Sequence, residues 1–182
     1  MRVLGAVMAG GQSRRFGSDK AVALLDGKTL LDHVVERLAP QVDAVVVCGR
    51  QHLRLASLGD RPGGGLGPLA GLNAALHHAR TSGFDAVLSV ACDVPALPVS
   101  LRTLLGDAPA YLAELPVIGI WPADLADRLD AHLRDCDDRS LRRWARETGA
   151  APRQADHPIA NINTAADLAE ITRPTMPARS DR

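Results

Sequence analysis

Short apolar runs alternate with amphipathic segments along the first half of the chain. The runs at 3–8, 42–48 and 84–91 are rich in Val, Leu and Ala, and they predict buried strands. The segments at 29–38 and 68–80 place Leu and Val on one stripe, and they predict helices. Strand, helix, strand, helix, strand is typical of a parallel sheet with right-handed crossovers.

Two local signals indicate where these helices begin. Thr29 and Asp32 are spaced as in a capping box at the start of the first helix. Pro68 suits the first position of the second helix, where its missing N–H costs nothing. The stretch 65–70 also matches the dinucleotide pattern GxGxxA, but it follows no convincing strand, so we interpret Pro68 as a helix start.

The second half of the chain has a weaker pattern. Residues 116–121 predict one more strand, and residues 122–134 and 140–147 predict two helices. A final helix is predicted at 165–171, and the segment 172–182, which contains two prolines, predicts a frayed tail. We find no internal repeat.

Composition narrows the classes of function. The chain has 182 residues, and its 21 Lys and Arg balance 21 Asp and Glu. A zero net charge argues against a nucleic-acid or anionic-membrane partner, which would require a cationic surface. Three cysteines without a CxxC pair indicate free thiols in a reducing compartment. No signal peptide fits the N-terminus and no run approaches about 18 apolar residues, so we expect a cytoplasmic protein.

A glycine-rich loop at 9–20 follows the first predicted strand directly. Ligands of open α/β sheets bind beyond the carboxyl ends of the strands, so this position suits a site. Gly10 and Gly11 let backbone N–H groups approach phosphate oxygens closely. Three cations follow in the same loop, Arg14, Arg15 and Lys20. The loop therefore indicates a polyphosphate site, the alternative being an exposed basic loop; it does not match the P-loop pattern GxxxxGK[ST].

Asp93 follows the third predicted strand, at the same expected edge of the sheet. A nucleoside triphosphate is handled as its magnesium complex, and Mg²⁺ needs only one or two protein carboxylates. Asp93 is therefore a candidate Mg²⁺ ligand. The alternative is a turn-forming Asp-x-Pro, which is common in loops.

Four segments, in chain order, resemble the signature of the molybdenum cofactor guanylyltransferases, within the wider group of α/β nucleotidyltransferases. They are Ala-Gly-Gly-x-Ser-x-Arg-x-Gly-x-Asp-Lys at 9–20, Gly-Pro-Leu-Ala-Gly at 67–71, Cys-Asp-Val-Pro at 92–95 and Asn-Ile-Asn-Thr at 161–164. The resemblance covers about residues 2–171. Related molybdopterin cytidylyltransferases typically carry Ala-Ala-Gly where this chain has Ala9, Gly10 and Gly11, so by resemblance guanine is favoured over cytosine.

The resemblance implies a three-layer, Rossmann-like nucleotidyltransferase fold with a mostly parallel central sheet. We expect a single domain at 1–172 with a nucleotide-binding half at about 1–98 and an acceptor-binding half at about 99–172. Residues 173–182 are expected to form a disordered tail.

The resemblance also implies a set of site residues. The nucleotide-binding set is Met8, Ala9, Gly10, Gly11, Gln12, Ser13, Lys20, Cys48, Asp60 and Asp93. Lys20, Arg15 and Asp93 would carry catalysis, and Asp93 and Asn163 would hold Mg²⁺. Two alternatives stay open, because Asp60 also fits an ordinary β-turn and Asn163 or Thr164 also fits the cap of the last helix.

The activity implied by the resemblance is transfer of GMP from GTP to the phosphate of molybdopterin or Mo-molybdopterin, with release of pyrophosphate. GTP and molybdopterin would be the small-molecule partners of a monomer that contacts molybdoenzymes or cofactor-handling proteins transiently. The family usually has a longer polar loop at 107–116 and often an Asn where this chain has Cys48. A nucleotidyltransferase for another phosphorylated acceptor and a non-catalytic GTP-binding module are therefore the alternatives.

Overall fold

The buried apolar runs form the centre of a seven-stranded sheet. The structure is a computed structural model, and it describes residues 1–11, 19–63, 65–164 and 166–168. The strands are β1 (Val3–Met8), β2 (Leu24–Leu25), β3 (Lys28–Thr29), β4 (Ala44–Cys48), β5 (Ala56–Leu58), β6 (Ala86–Ala91), β7 (Ala110–Leu112), β8 (Gly119–Pro122) and β9 (Ala151–Arg153). The α-helices are α1 (Leu30–Leu38), α2 (Pro68–Thr81), α3 (Leu101–Leu105), α4 (Ala126–Asp135) and α5 (Leu141–Thr148).

The sheet has the strand order β5-β4-β1-β6-β8-β7-β9 and is mostly parallel. Strands β5, β4, β1 and β6 are mutually parallel, and β9 is parallel to β7. Only β8 runs against its neighbours β6 and β7 in this sheet, and β2 and β3 pair in a separate hairpin. The predicted parallel sheet is confirmed.

Helices cover both faces of the sheet, so the fold has three layers, as predicted. On one face Val3 and Val7 of β1 pack in a core cluster with apolar residues of α1 and α3. On the other face Leu4 and Ala6 pack with residues of α2, α4 and α5. This alternation follows from the two-residue period of a strand, and it explains why β1 reads as an unbroken apolar run.

The topology brings three strand ends together. In the registers of β1 with its two neighbours, Met8 lies opposite both Cys48 of β4 and Ala91 of β6. The chain passes from β1 through α1 to one side of the sheet, and it enters β6 through α2 on the other side. Strand order therefore reverses at β1, which is where open α/β sheets bind ligands.

Most predicted elements are present with shifted ends. The predicted strand at 116–121 is β8, and the helix predicted at 122–134 starts at Ala126 after a 3₁₀ turn. Of the helix predicted at 165–171, residues 166–168 are helical. Residues 165 and 169–171, and the predicted tail at 173–182, lie outside the described residues.

The predicted Thr29 cap of α1 is confirmed, since Thr29 Oγ1 accepts from the Asp32 amide at 3.0 Å. The reciprocal bond of a full capping box is replaced by one from the Thr29 hydroxyl to Asp32 Oδ2 at 2.6 Å. Pro68 is the first residue of α2, as predicted. Within the described residues, no helix is both long enough and apolar enough to cross a membrane.

Candidate active site

A cleft of about 560 Å³ opens at the carboxyl ends of β1, β4 and β6. Its described lining residues are Met8, Ala9, Gly10, Gly11, Asp19, Lys20, Ala21, Cys48, Asp60, Gly65, Gly67, Pro68, Gly71, Ala91, Cys92, Asp93 and Val117. Segments far apart in the sequence thus meet at one edge of the sheet. Residues 9–11 and 19–20 of the glycine loop, the start of α2 and the Cys92–Asp93 turn all line the same space.

Close backbone packing shapes one end of this cleft. Gly49 has φ +83, and a Cβ there would lie 2.4 Å from the Gly10 Cα. A Cβ at Gly71 would lie 2.9 Å from the Met8 sulfur and 3.2 Å from the Cys48 Cβ. These approaches leave no room for a side chain at Gly49, and at Gly71 a methyl would force its neighbours apart.

Two glycines at the start of the glycine loop, Gly10 and Gly11, line the cleft. The Ala9 amide donates to the Cys48 carbonyl at 2.9 Å, which anchors the loop on β4. In the described part of the chain no group accepts from the amides of Gly10 and Gly11. Such amides can donate to a phosphate oxygen.

Lys20 links the glycine loop to the opposite wall. Its Nζ donates to Asp93 Oδ2 at 2.7 Å and to Asn163 Oδ1 at 3.1 Å, and the side chain is largely buried. The Ile162 amide donates to the Asp93 carbonyl at 2.8 Å, which fixes the segment before Asn163 beside the Cys92–Asp93 turn. A carboxylate and an amide oxygen therefore bind a single cationic group from two sides.

Arg50 positions the end of the glycine loop, and sequence reasoning missed it. Its guanidinium binds both carboxylate oxygens of Asp19, with a distance of 2.8 Å from Nη1 to Oδ1. Asp19 also caps the 3₁₀ turn Lys20–Val22 by accepting from the Ala21 amide. The hydrogen bond from Arg50 holds the pKa of the Asp19 carboxyl below its ordinary value. The available signal was Asp19 itself, an acid in the loop for which the sequence offered no partner.

The Asp60 end of the cleft has a different electrostatic character. Burial raises the pKa of the Asp60 carboxyl, and among the described residues no side chain donates to it. Burial, together with the negative charge of Asp60, raises the pKa of the Cys48 thiol to about 12. Burial and the charge of Asp93 do the same to Cys92. Both thiols are therefore neutral at physiological pH.

The sequence left two roles open for the segment 161–164, a helix cap and a part of the site, and its contacts fit both. Thr164 Oγ1 accepts from the Asp167 amide at 3.1 Å, and Asp167 Oδ2 accepts from the amides of Asn163 and Thr164. Thr164 therefore caps the helical turn at 166–168. The backbone of Asn163 belongs to this cap, whereas its side chain contacts Lys20.

Comparison with known proteins decides the family. Residues 5–156 match the sequence profile of the MobA-like NTP transferase domain. A protein named molybdenum cofactor guanylyltransferase from Rhodobacter capsulatus is 40% identical over 181 residues, which covers 93% of this chain and 94% of the relative. A protein of the same name from Sinorhizobium fredii is 37% identical over 194 residues, which covers 90% of this chain and 88% of the relative.

The chain belongs to the MobA-like NTP transferase family.

A solved structure supports the same fold. Molybdopterin-guanine dinucleotide biosynthesis protein A from Archaeoglobus fulgidus superimposes with a TM-score of 0.69 at 22% identity. The superposition covers 92% of this chain and 95% of that chain. The α/β nucleotidyltransferase fold expected from the sequence is confirmed.

Most residues predicted for the site of this MobA-like chain lie together. Those lining the cleft are Met8, Ala9, Gly10, Gly11, Lys20, Cys48, Asp60 and Asp93. Asn163 contacts Lys20 at the edge of this set. The predicted residues Gln12, Ser13 and Arg15 lie outside the described residues. The individual roles of all these residues stay predictions.

Proposed function

We propose that this chain transfers GMP from GTP to the terminal phosphate of molybdopterin or its molybdenum-loaded form, releasing pyrophosphate. Membership of the MobA-like family and two relatives named molybdenum cofactor guanylyltransferase support this activity. The observation that connects this activity to particular residues is the cleft at the strand ends, where Lys20 at the end of the glycine loop binds Asp93.

The two ends of the cleft suit the two ends of a nucleoside triphosphate. Lys20 and the Gly11 amide are donors for phosphate oxygens, whereas Gly10 packs against Gly49 at the Asp60 end. The Asp60 carboxylate at the other end has no cationic partner among the described residues, so it suits the sugar or base, which offer O–H and N–H donors. We infer that the triphosphate lies towards Lys20 and the nucleoside towards Asp60.

The described cleft contains groups that position and neutralise charge rather than an acid–base pair. The acceptor is a phosphate monoester with a second pKa of about 6, so it is mostly ionised at neutral pH and needs no general base. Its oxygen attacks the α-phosphorus of GTP, and the bond from that phosphorus to the bridging oxygen of pyrophosphate breaks. Lys20 stabilises the negative charge on the transferred and leaving phosphates.

A covalent nucleotidyl–enzyme intermediate is disfavoured by the state of the two thiols in the cleft. Cys48 and Cys92 each have a pKa raised to about 12, chiefly by burial. A thiol is nucleophilic as its thiolate, so neither is activated. Direct transfer between the two phosphates fits this cleft better than a two-step reaction through sulfur.

The donor set at Asp93 fits a divalent cation. Asp93 and Asn163 offer a carboxylate and an amide oxygen that already bind the Lys20 ammonium from two sides. Hard oxygen ligands in small number are what Mg²⁺ accepts when substrate phosphates complete its coordination. We propose that Asp93 and Asn163 hold Mg²⁺ with the nucleotide; bound there, the ion would neutralise charge on the phosphates.

The test is an assay of pyrophosphate release by the purified protein with Mg²⁺ and molybdopterin. GTP, CTP, ATP and UTP are supplied in turn, each with and without molybdopterin. We expect release with GTP that depends on both Mg²⁺ and molybdopterin. Release with CTP instead would assign the chain to cytidylyl transfer, and release only with another phosphorylated acceptor would replace molybdopterin. GTP binding without release under any condition would identify a binding module.

A further inference from the structure

Asp130, a carboxylate outside the cleft, lies on α4 behind the Asp60 end. Its oxygens accept from four donor atoms on three residues. Arg61 Nε and Nη2 each lie at 3.2 Å, Asn73 Nδ2 at 2.6 Å, and the ring nitrogen Nε2 of His77 at 2.9 Å. Asp130 thus connects α4, α2 and the loop before α2.

The loop residue in this network is the direct neighbour of Asp60. The Arg61 amide donates to the Ala70 carbonyl at 3.1 Å, and Asn73 Nδ2 lies 3.4 Å from the Arg61 carbonyl. The Arg61 side chain is held by Asp130 alone among the described hydrogen bonds. The Asp60–Arg61 segment is therefore attached to the helices at three points, and two of them include a group that binds Asp130.

Asn73 makes the geometry of this network specific. It is fully buried, so its side-chain amide cannot turn to water when a partner is lost. The same Nδ2 faces Asp130 Oδ1 and the Arg61 carbonyl. The carboxylate orients the amide, and the oriented amide faces the loop.

The charge of Asp130 is stable. Desolvation raises its pKa, but hydrogen bonds from Arg61 and Asn73 outweigh it and bring the pKa to about 2. Asp130 is therefore anionic throughout the pH range in which an enzyme of this kind works. Replacement by Asn removes a full charge and one acceptor while keeping the size of the side chain.

We propose that Asp130 is a positioning residue for the nucleotide site: through Arg61 and Asn73 it fixes the Asp60 segment that receives the nucleoside. The proposal rests on the proposed function, since Asp60 matters only if a nucleotide binds in the cleft. Under this proposal Asp130 of α4, in the second half of the chain, contributes to nucleotide affinity. The phosphate end, built by Lys20 and Asp93, lies outside this network.

The chain offers a matched control. Asp127 lies one turn earlier on α4 and also pairs with an arginine of α2, since Arg80 Nη1 lies 2.6 Å from its Oδ2. Its side chain is exposed, and it makes no described contact with the Asp60 loop. Asp127→Asn thus removes the same charge from the same helix without loosening that loop.

The experiment compares Asp130→Asn with Asp127→Asn by steady-state kinetics of pyrophosphate release and by direct GTP binding. We expect Asp130→Asn to raise KM and Kd for GTP about fourfold, or about 0.8 kcal/mol, with kcat within about twofold of wild type. Asp127→Asn is expected to leave all three constants unchanged. Thermal unfolding of each variant identifies any loss of folded protein, which lowers kcat without raising Kd.

A second variant keeps the test decisive if Asp130→Asn does not fold. Arg61→Gln removes only a half-exposed side chain, and we expect a smaller rise in KM of about threefold. In the double variant the two effects should be less than multiplicative, because both act through one contact. Equal KM values for wild type, Asp130→Asn and Arg61→Gln would overturn the proposal. Absence of pyrophosphate release by wild type would instead contradict the proposed function.

Discussion

The two ends of the cleft are built on different principles. At one end Lys20, Asp93 and Asn163 form a network of charged and polar side chains with distances of 2.7 and 3.1 Å. At the other end Gly49 packs against the Gly10 backbone and Gly71 packs against Met8 and Cys48. Asp60 lies there without a described cationic partner. One end depends on the chemistry of side chains, and the other depends on the absence of side chains.

This difference predicts different defects. A substitution at the charged end removes an interaction with substrate while the fold survives, because the side chain projects into the cleft from a turn. A substitution at the packed end moves backbone, so it alters stability together with binding. The following variants test this separation.

The largest effect is expected from Lys20→Ala. Removing a cationic donor from the charged end should lower kcat about 10²–10³-fold in the pyrophosphate assay. The fold should survive, although Tm should fall, because the Asp93 side chain that loses its partner is still 21% exposed to water. Lys28→Ala is the control, because Lys28 pairs with Glu36 in a solvent-exposed contact. Near-normal turnover by Lys20→Ala would remove the catalytic role of this end.

The next effect is expected from Gly49→Ala, at the packed end. The new methyl meets the Gly10 backbone at 2.4 Å, and the residue must also keep φ +83. We expect the free energy of unfolding to fall by about 2 kcal/mol or more, measured by urea denaturation. Gly149→Ala has a similar φ of +70 but open space around the Cβ, so it measures the conformational strain alone. Equal losses in the two variants would show that the contact with Gly10 is unimportant.

The parts of the fold that sequence reasoning predicted share a physical property. Strands β1, β4 and β6 lie at the centre of a parallel sheet covered on both faces, so their apolar runs are continuous and easily recognised. Strands β5, β7 and β9 of this sheet were missed; they have three residues each and lie towards its edges. The two-residue strands β2 and β3 of the separate hairpin were missed as well. A three-residue strand owes its existence to pairing with distant neighbours, which leaves no periodic signal.

The residues of the site also divide into those with a local sequence pattern and those that depend on distant contacts. Lys20 and Asp93 lie in motifs at the ends of recognisable strands, so their meeting follows from parallel topology. Arg50 and Asp130 have no motif, because each acts through a partner that is 31 or 57 residues away along the chain. Such contacts depend on how loops and helices pack, and a single sequence does not encode them in any local pattern.

A smaller effect is expected at the charged end when metal binding is measured without nucleotide. The Lys20 ammonium lies between the two oxygens proposed as metal ligands, so it competes with a free cation. Lys20→Met should bind Mn²⁺ about tenfold more tightly than wild type in an electron paramagnetic resonance titration. Asp93→Asn added to Lys20→Met should abolish the gain. Unchanged Mn²⁺ affinity in Lys20→Met would place the metal elsewhere.

The smallest effect is expected from Asp60→Asn, which should change the stability of the protein and its affinity for GTP in opposite directions. Burial raises the pKa of Asp60 above its ordinary value of 3.8. Between the ordinary and the raised pKa the folded protein binds more proton than the unfolded chain, so stability falls as pH rises through that window, and the full cost is present above it. Asp60→Asn avoids this cost.

The unliganded Asp60→Asn protein should therefore be more stable than wild type at pH 7, by no more than about 0.5 kcal/mol because water screens the partly exposed carboxyl. This advantage should disappear as pH falls below the ordinary pKa of the carboxyl. KM for GTP should rise about fivefold, since one acceptor for the nucleoside is weakened. Denaturation at a series of pH values, with the pyrophosphate assay, measures both. A variant that is less stable at pH 7, or that binds GTP normally, would show that Asp60 serves the packing of this end rather than its ligand.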